Sequence, residues 1–433
     1  MGSLWENTAL FGSFSSLEKD ISTDVLIIGG GLAGILCSYM LKQAGADCVL
    51  LEARRICHGI TGNTTAKITS QHGLIYDKLI REFDPDTAKL YLRANEEALQ
   101  KYRELCKNIE CHFEEKDNYV YSLNDRSKIK RELAALQRLG FPARREENLP
   151  LPFPVAGAVR FPRQAQFDPL QFISHISKGL RIYEHTPVRE LVGVTAVTDR
   201  GKVHAKRIVV ATHFPFINKH GGYFIKMFQH RSYVLALENA PLPNGMFVDE
   251  APKGMSFRSY EKLLLLGGGD HRTGKKGGGW QELRDFAARH YPDATERYHW
   301  ATQDCITLDG MPYIGRYSSG TDKLYVATGF NKWGMTSSMV AATLLADILQ
   351  GRNSPYQAVF DPSRSILRPM LAVNAAEAVV SLLNPTPRRC PHLGCALKWN
   401  PEEHSWDCPC HGSRFTKDGR LIDNPATGDM KTK

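Results

Sequence analysis

Apolar and polar positions alternate along this chain in stretches with different periods. Residues 24–34 read D-V-L-I-I-G-G-G-L-A-G: an unbroken apolar, β-branched run at 25–28, then glycines, then a helical stretch to about residue 44. A second apolar run, C-V-L-L-E, ends at Glu52. The pattern predicts strand, glycine turn, helix and strand. Residues 70–140 are helix-rich, as in P-D-T-A-K-L-Y-L-R-A-N-E-E-A-L-Q-K-Y-R-E-L, where apolar residues recur every three or four positions. Strand-like runs follow in D-N-Y-V-Y-S, R-S-Y-V-L-A-L, G-M-S-F-R-S-Y and K-L-L-L-L-G. K-L-Y-V-A-T-G-F-N-K-W-G-M-T repeats the strand, turn and helix order, its strand at 324–327. The longest late apolar stretch, A-A-E-A-V-V-S-L-L, is far short of the roughly 20 residues that a membrane span needs.

A length of 433 residues predicts two or three domains, and 42% hydrophobic with 23% charged residues is globular composition. The net charge of +9 comes from 55 basic and 46 acidic residues without a long basic run. This fits a well-solvated surface, or a basic docking patch for an acidic partner, and argues against nucleic-acid binding. The opening M-G-S-L-W-E-N-T-A-L-F-G has neither a basic segment before an apolar one nor twin arginines, so a cytoplasmic protein is expected. Cys37, Cys48, Cys57, Cys106, Cys111 and Cys305 are scattered and read as reduced core residues without a role.

Each part of the first motif has a physical duty. Gly29 permits the tight turn, Gly31 lets backbone approach a pyrophosphate, and Gly34 lets helix and strand pack closely. The helix start attracts phosphate, and Glu52 suits ribose hydroxyls. In R-R-I-C-H-G-I-T-G-N-T-T-A-K-I-T, residues 54–69, small and hydroxylated side chains can line a pyrophosphate and ring. The turn at Gly329 can aim a helix N-terminus at a flavin pyrimidine edge. A competing glycine run, L-L-L-L-G-G-G-D-H-R-T-G at 263–274, has no apolar helix after Gly269 and reads as a loop near the catalytic chamber, not as an NAD site.

Gly29–Gly34 with Glu52, R-I-V-V-A-T at 207–212 and G-F-N-K-W-G at 329–334 together resemble the D-amino-acid-oxidase superfamily of flavoproteins, over roughly residues 20–350. That superfamily includes glycine oxidase, sarcosine oxidase and gamma-glutamylputrescine oxidoreductase. The resemblance implies an α/β fold: a discontinuous Rossmann-like FAD-binding domain (1–75, 160–217 and 300–352) and an α+β substrate domain with a mixed sheet over the flavin (76–159 and 218–299). It places FAD contacts at Gly29, Gly31, Gly34, Glu52, Ala53, Arg54, Thr61, Thr64, Thr65, Ala66, Val188, Thr212, Gly329, Phe330, Lys332, Trp333, Gly334 and Met335.

Tyr119, Tyr121, His230, Arg231, Tyr233, Arg258, His271 and Arg272 are candidate substrate contacts, since a guanidinium fork suits a carboxylate. Each has a structural hydrogen bond or salt bridge as its plain alternative. Catalytic candidates are Lys67, His230, Arg231, Tyr233, Arg258 and His271; Lys67 and Lys332 lie in flavin-associated loops where a cation can pair with reduced flavin. Amine-oxidising members of the superfamily often need no strong base, so orientation and carboxylate capture are expected to dominate.

The carboxyl end reads C-P-H-L-G-C, then C-P-C-H-G-S. Cys390-x-His392 and Cys408-x-x-His411 suit zinc, or a [2Fe–2S] cluster with cysteines on one iron and histidines on the other. Cys395 and Cys410, one in each loop, are surplus to zinc; Gly394 and Gly412 leave room near inorganic sulfide, and Ser413 offers a hydroxyl. The motif resembles the Rieske proteins of cytochrome bc and b-f complexes. This implies a cluster held by Cys390, His392, Cys408 and His411, with Cys395–Cys410 as a disulfide. Phe415 stands where high-potential Rieske proteins often carry a tyrosine, so a value below the top of the roughly −150 to +300 mV range is expected. After a 353–387 linker with a short helix, residues 388–433 form only the cluster-binding half of an all-β module. Such a piece is too small to be stable without cluster, disulfide and docking.

FAD-linked oxidoreductases with a C-terminal Rieske domain form a subgroup of this superfamily, and T-G-N-T-T-A-K-I-T-S-Q-H-G at 61–73 looks typical of it. The expected activity is dehydrogenation of an amine or amino acid by hydride transfer to flavin, with single electrons leaving through the cluster to an external one-electron carrier. The alternatives are a reductase running the other way, from reduced carrier to an unsaturated or imine-like substrate, and an electron-transfer flavoprotein whose flavin face is closed.

Overall fold

The computed structural model describes residues 2–430, so the outermost expected domain ends, residue 1 and residues 431–433, lie outside it. Strand Ile21–Ile28 forms the middle of the first sheet. Cys48–Leu51 runs parallel on one side, with Val25 opposite Cys48. Lys202–Val210 runs parallel on the other, with Ile28 opposite Val210, and continues to Leu324–Thr328. The continuous apolar run at 25–28 follows from burial of both faces. Val25 and Ile27 enter one core, beneath the packed helices Leu32–Gln43 and Gly334–Leu349, while Leu26 and Ile28 enter the opposite core.

A nine-stranded sheet stands over this layer. Its spatial order is Thr295–Thr307, Met227–Glu238, Leu263–Arg272, Ser256–Tyr260, Met246–Asp249, Glu114–Ser122, Gly157–Gln166 and Lys67–Ile68, with Arg144–Glu146 off Gly157–Gln166. Met246–Asp249 runs parallel to Glu114–Ser122 and the other pairings are antiparallel. The expected boundaries at 159/160 and 299/300 fall inside strands Gly157–Gln166 and Thr295–Thr307 of this sheet.

The glycine run at 267–269 is not a loop. It continues strand Leu263–Arg272, antiparallel to Met227–Glu238, and the register shifts between Arg231 and Tyr233 opposite it. Gly269, at φ +66°, takes up that irregularity, as glycine does at a bulge.

The final module is a four-stranded antiparallel sheet: Lys398–Asn400, Ser405–Asp407, Arg414–Thr416 and Leu421–Asp423. Its core is small, with Cys390, Cys395, Cys408 and Cys410 alongside Leu397, Phe415, Ala426 and Met430. Buried Arg414 knits it by pairing with Glu403 (2.7 Å), Asp407 (3.1 Å) and Asp423 (3.1 Å). The preceding linker holds a 15-residue helix, Pro369–Leu383.

Candidate functional site

Between the two large sheets lies a cavity of about 1160 Å³. Gly29, Gly31, Glu52, Ala53, Arg54, Thr61, Thr64, Thr65, Val188, Thr212, Gly329, Phe330, Lys332, Trp333, Gly334 and Met335 all line it; Gly34 and Ala66 do not. Gly34 works from behind: a Cβ there would strike the Gly29 carbonyl, so only glycine lets the helix sit against the turn. A Cβ on Gly29, at φ +112°, would lie 2.5 Å from the Ala211 carbonyl oxygen. Glu52 accepts from the Gly30 N–H (2.7 Å) and the Arg54 N–H (2.8 Å), fixing the carboxylate at the cavity edge. The starts of Leu32–Gln43 and Gly334–Leu349 both reach the cavity. These donors, the glycine cradle and the fixed acid fit an FAD: an anion site at a helix start, an acid for ribose and room for a ring system.

The turn before Gly334 is strained. Asn331 (φ +50°) and Lys332 (φ +72°) are consecutive left-handed residues. They are held because Asn331 Oδ1 accepts from the Thr307 N–H (2.8 Å) and its Nδ2 donates to Gly329 O (2.6 Å).

Strand alternation sorts the candidate substrate contacts. In Met227–Glu238, Phe228, His230, Ser232 and Val234 line the cavity, while Gln229 and Arg231 turn to the opposite face. His230 sits directly opposite Asp304 and Arg272 on the flanking strands, and all three line the cavity. Arg231 sits opposite His271 and Gln303, and its guanidinium pairs with Glu403 of the terminal module. Tyr233 reaches the cavity wall while its hydroxyl donates to Glu403 (3.1 Å) and meets His271 Nε2 at 2.9 Å.

Arg231, His271 and Arg258 therefore do not face the substrate chamber as expected. Arg258 is fully buried and donates to the Thr65 (2.7 Å) and Ala66 (2.9 Å) carbonyls, pinning the flavin-side loop where Ala66 adopts φ +52°. Arg272 lies on Phe228 and donates to Pro409 O (3.1 Å) and Asn374 Oδ1 (2.9 Å). Tyr119 stacks on Phe247, and Tyr121 donates to Met255 O; neither lines the cavity.

The chamber holds titratable groups that sequence reasoning did not single out. Asp270 pairs with Lys332. Burial pushes the neighbouring Asp304 carboxyl up to about 6. Burial, with Lys332 nearby, brings the His230 imidazole down to about 3, so it is neutral near pH 7, and its Nδ1 has no partner among the described residues. His213 also lines the wall and is brought down to about 4 by burial. Lys67 donates to Thr65 Oγ1 (3.1 Å) and Ser256 Oγ (3.4 Å), and burial, reinforced by the Arg258 guanidinium, lowers its ammonium to about 7. Asp270 lay in the glycine run read as a loop, and Asp304 becomes visible only through its cross-strand partner.

In the terminal module, His392 and His411 present their Nδ1 atoms to each other at 3.2 Å. Cys390 and Cys408 are buried within hydrogen-bond reach of one another. The two ligand loops close alike: the Gly394 N–H donates to Cys390 O and the Gly412 N–H to Cys408 O, both 2.9 Å, with glycine φ of +78° and +83°. Cys395 and Cys410 form a disulfide that ties the loops. Cys395, Cys408 and Cys410 place their sulfurs within 4.8 Å, but the disulfide uses two of them, so Cys408 alone of that group is free to bind metal. Two thiols and two imidazoles converging beside a bridging disulfide fit a [2Fe–2S] cluster.

This module is clamped to the back of the substrate sheet. Gln229 Nε2 donates to His411 O (2.7 Å), Gln303 Nε2 to Gly412 O (2.9 Å), and Asn424 Nδ2 to Thr212 O (2.6 Å) and Phe214 O (2.7 Å). Burial raises the Glu403 carboxyl, but the Arg231 and Arg414 guanidiniums outweigh this and hold it at about 2. His411 is buried with its ring edge-on to Phe214 and Phe224, while His392 is half-buried and meets Asn218 Oδ1 through Nε2 (2.9 Å). Residues 421–424 and 426–429 complete the cavity wall, so the module borders the flavin site directly.

The fold and the two sites define a flavin oxidoreductase joined to an iron–sulfur module. The model of the FAD dependent oxidoreductase (DAO) family matches residues 24–348 and that of the Rieske [2Fe-2S] domain matches residues 383–432; the chain belongs to this family and carries both cofactor-binding domains. Across 99% of its length it is 35% identical to YhfW of Bacillus subtilis (strain 168), described as a Rieske 2Fe-2S iron-sulfur protein, covering 96% of that protein. It is 24% identical to the gamma-glutamylputrescine oxidoreductase of Escherichia coli (strain K12), over 84% of this chain and 94% of that protein. Among solved structures, glycine oxidase from Geobacillus kaustophilus shares the fold with a TM-score of 0.66 at 19% identity, covering 79% of this chain and 99% of that one. The protein is thus an FAD-dependent oxidoreductase with a Rieske [2Fe–2S] centre.

Proposed function

We propose that the enzyme dehydrogenates an amine and sends the electrons out through the Rieske module to a one-electron carrier. Bound FAD supplies hydride acceptance and bound cluster supplies one-electron exchange. The observation that carries the substrate class is the charge left free in the chamber. Each arginine that sequence reasoning offered to a carboxylate is engaged elsewhere: Arg231 with Glu403, Arg258 with backbone carbonyls, and Arg272 with Pro409 and Asn374. Asp304, beside neutral His230 on the chamber floor, has no ion-pair partner of its own among the described residues. An ammonium docking at Asp304 finds a counter-charge and then a proton acceptor, leaving the neutral amine from which hydride departs. The relationship to gamma-glutamylputrescine oxidoreductase supports the same class. Electron exchange between the two centres is supported by residues 421–424 and 426–429 of the module, which border the flavin cavity.

Anaerobic photometry tests the reading. Mixing the holoenzyme with a panel of primary and secondary amines is expected to bleach the flavin, followed by the electron-spin signal of the reduced cluster. If no amine bleaches the flavin while a reduced one-electron carrier does, the direction and the substrate class are both wrong.

A further inference from the structure

The helix Pro369–Leu383, between the flavin domain and the cluster module, is inside out. Its polar residues Asn374, Glu377 and Ser381 share one helical stripe and turn inward. Asn374 accepts from Arg272 (2.9 Å), Glu377 pairs with Lys275 (2.7 Å), and Ser381 Oγ donates to Ala396 O (3.4 Å). The outer face is apolar: Val373, Val379, Val380, Leu382 and Leu383 are between 47% and 77% exposed. The patch runs on to the cluster loop, where Leu393 is 40% exposed. Soluble monomers rarely leave so continuous an apolar strip in water.

The chain segment that carries it is basic. Glu377 is the single acidic residue between positions 362 and 401, and it is consumed by Lys275. Arg388, stacked over Trp406 at 4.0 Å, and Lys398 are exposed in the segment that follows the helix. We propose that this face lies on an anionic membrane surface, the helix in the plane of the interface and Arg388 and Lys398 at headgroup level. The helix is too short to cross: 15 residues give about 22 Å against a hydrocarbon core of about 30 Å. Pairing with a second copy is disfavoured, because a segment offering bases, with its one acid held by Lys275, brings like charge to like. A transient carrier protein leaves the apolar residues in water between encounters. Met370, on the inward stripe, and Val373 at its edge line the flavin cavity.

The test uses the holoprotein with both cofactors. It is sedimented with vesicles of equal parts phosphatidylcholine and phosphatidylglycerol, and with phosphatidylcholine alone, while analytical ultracentrifugation reports its mass in solution. Binding to the anionic vesicles is expected, more than about tenfold weaker on phosphatidylcholine and weakened by salt. Val380→Glu with Leu383→Glu is expected to lower it more than about tenfold while flavin absorbance and cluster signal persist. Should that pair not fold, Arg388→Glu with Lys398→Glu is expected to abolish the preference for anionic lipid. Absence of vesicle binding, binding indifferent to these substitutions, or a dimer that Val380→Glu with Leu383→Glu dissociates overturns the proposal. So does capture of an acidic carrier protein without vesicle binding.

Discussion

Asp304→Asn separates chemistry from stability more sharply than any other substitution in the chamber. Burial disfavours the charge of Asp304 and pushes its carboxyl from 3.8 up to about 6, worth ~3 kcal/mol. A carboxyl raised in the folded state costs stability where its charge is forced, fully above about pH 6 and not at all below about 3.8. Asp304→Asn should therefore stabilise the holoprotein at pH 7.5 by up to ~3 kcal/mol, a gain that fades as pH falls from 6 toward 3.8. The same change removes the counter-charge and proton acceptor for the amine. In the parent enzyme about one Asp304 in ten is ionised at pH 5 and about nine in ten at pH 7, so kcat/KM for flavin reduction should rise about tenfold between them. In the variant that limb should vanish and the value at pH 7 should fall by about a hundredfold. Anaerobic stopped-flow flavin reduction across pH 5–9, with thermal unfolding of the same samples, measures both. A variant that keeps the acid limb, or that loses rate without gaining stability at pH 7.5, refutes the assignment.

Lys67→Met should remove a second limb: the Lys67 ammonium is charged only below about pH 7, so the parent enzyme should lose rate above that pH and the variant should not, as the same pH series shows. Arg231→Met leaves Glu403 with Arg414 alone and should weaken docking of the Rieske module by about 2 kcal/mol, less than a fully orphaned buried charge because one partner remains. Tryptic cleavage at Arg388 and Arg389 should then quicken by on the order of tenfold. In the parent, the docking stability that Glu403 contributes is present above pH 4.5 and lost as pH falls toward 2, which the same cleavage assay reads after brief acid exposure. Phe415→Tyr should raise the cluster potential within the roughly −150 to +300 mV Rieske range by adding a hydroxyl, measured by titration of the electron-spin signal; an unchanged potential removes the argument from Phe415.

What the sequence determined by itself was whatever neighbours in the chain can specify. The turn at Gly29–Gly34, the acid at Glu52 and the ligands of the C-terminal loops are local constellations, because backbone room at a turn and spacing around one cluster are set within a few residues. The tertiary structure decided the phase of strand Met227–Glu238. Successive side chains point to opposite faces, so His230 enters the chamber while Arg231, one residue on, serves the Rieske interface, and no local signal separates them. It also decided which charges are free. An arginine reads the same in sequence whether it meets a substrate or, like Arg258, the carbonyls of Thr65 and Ala66. The helix at 369–383 shows the same division: a short helix in the linker was expected, but that Asn374, Glu377 and Ser381 face inward follows from distant Arg272, Lys275 and Ala396, which satisfy their polar groups and leave the apolar face turned out.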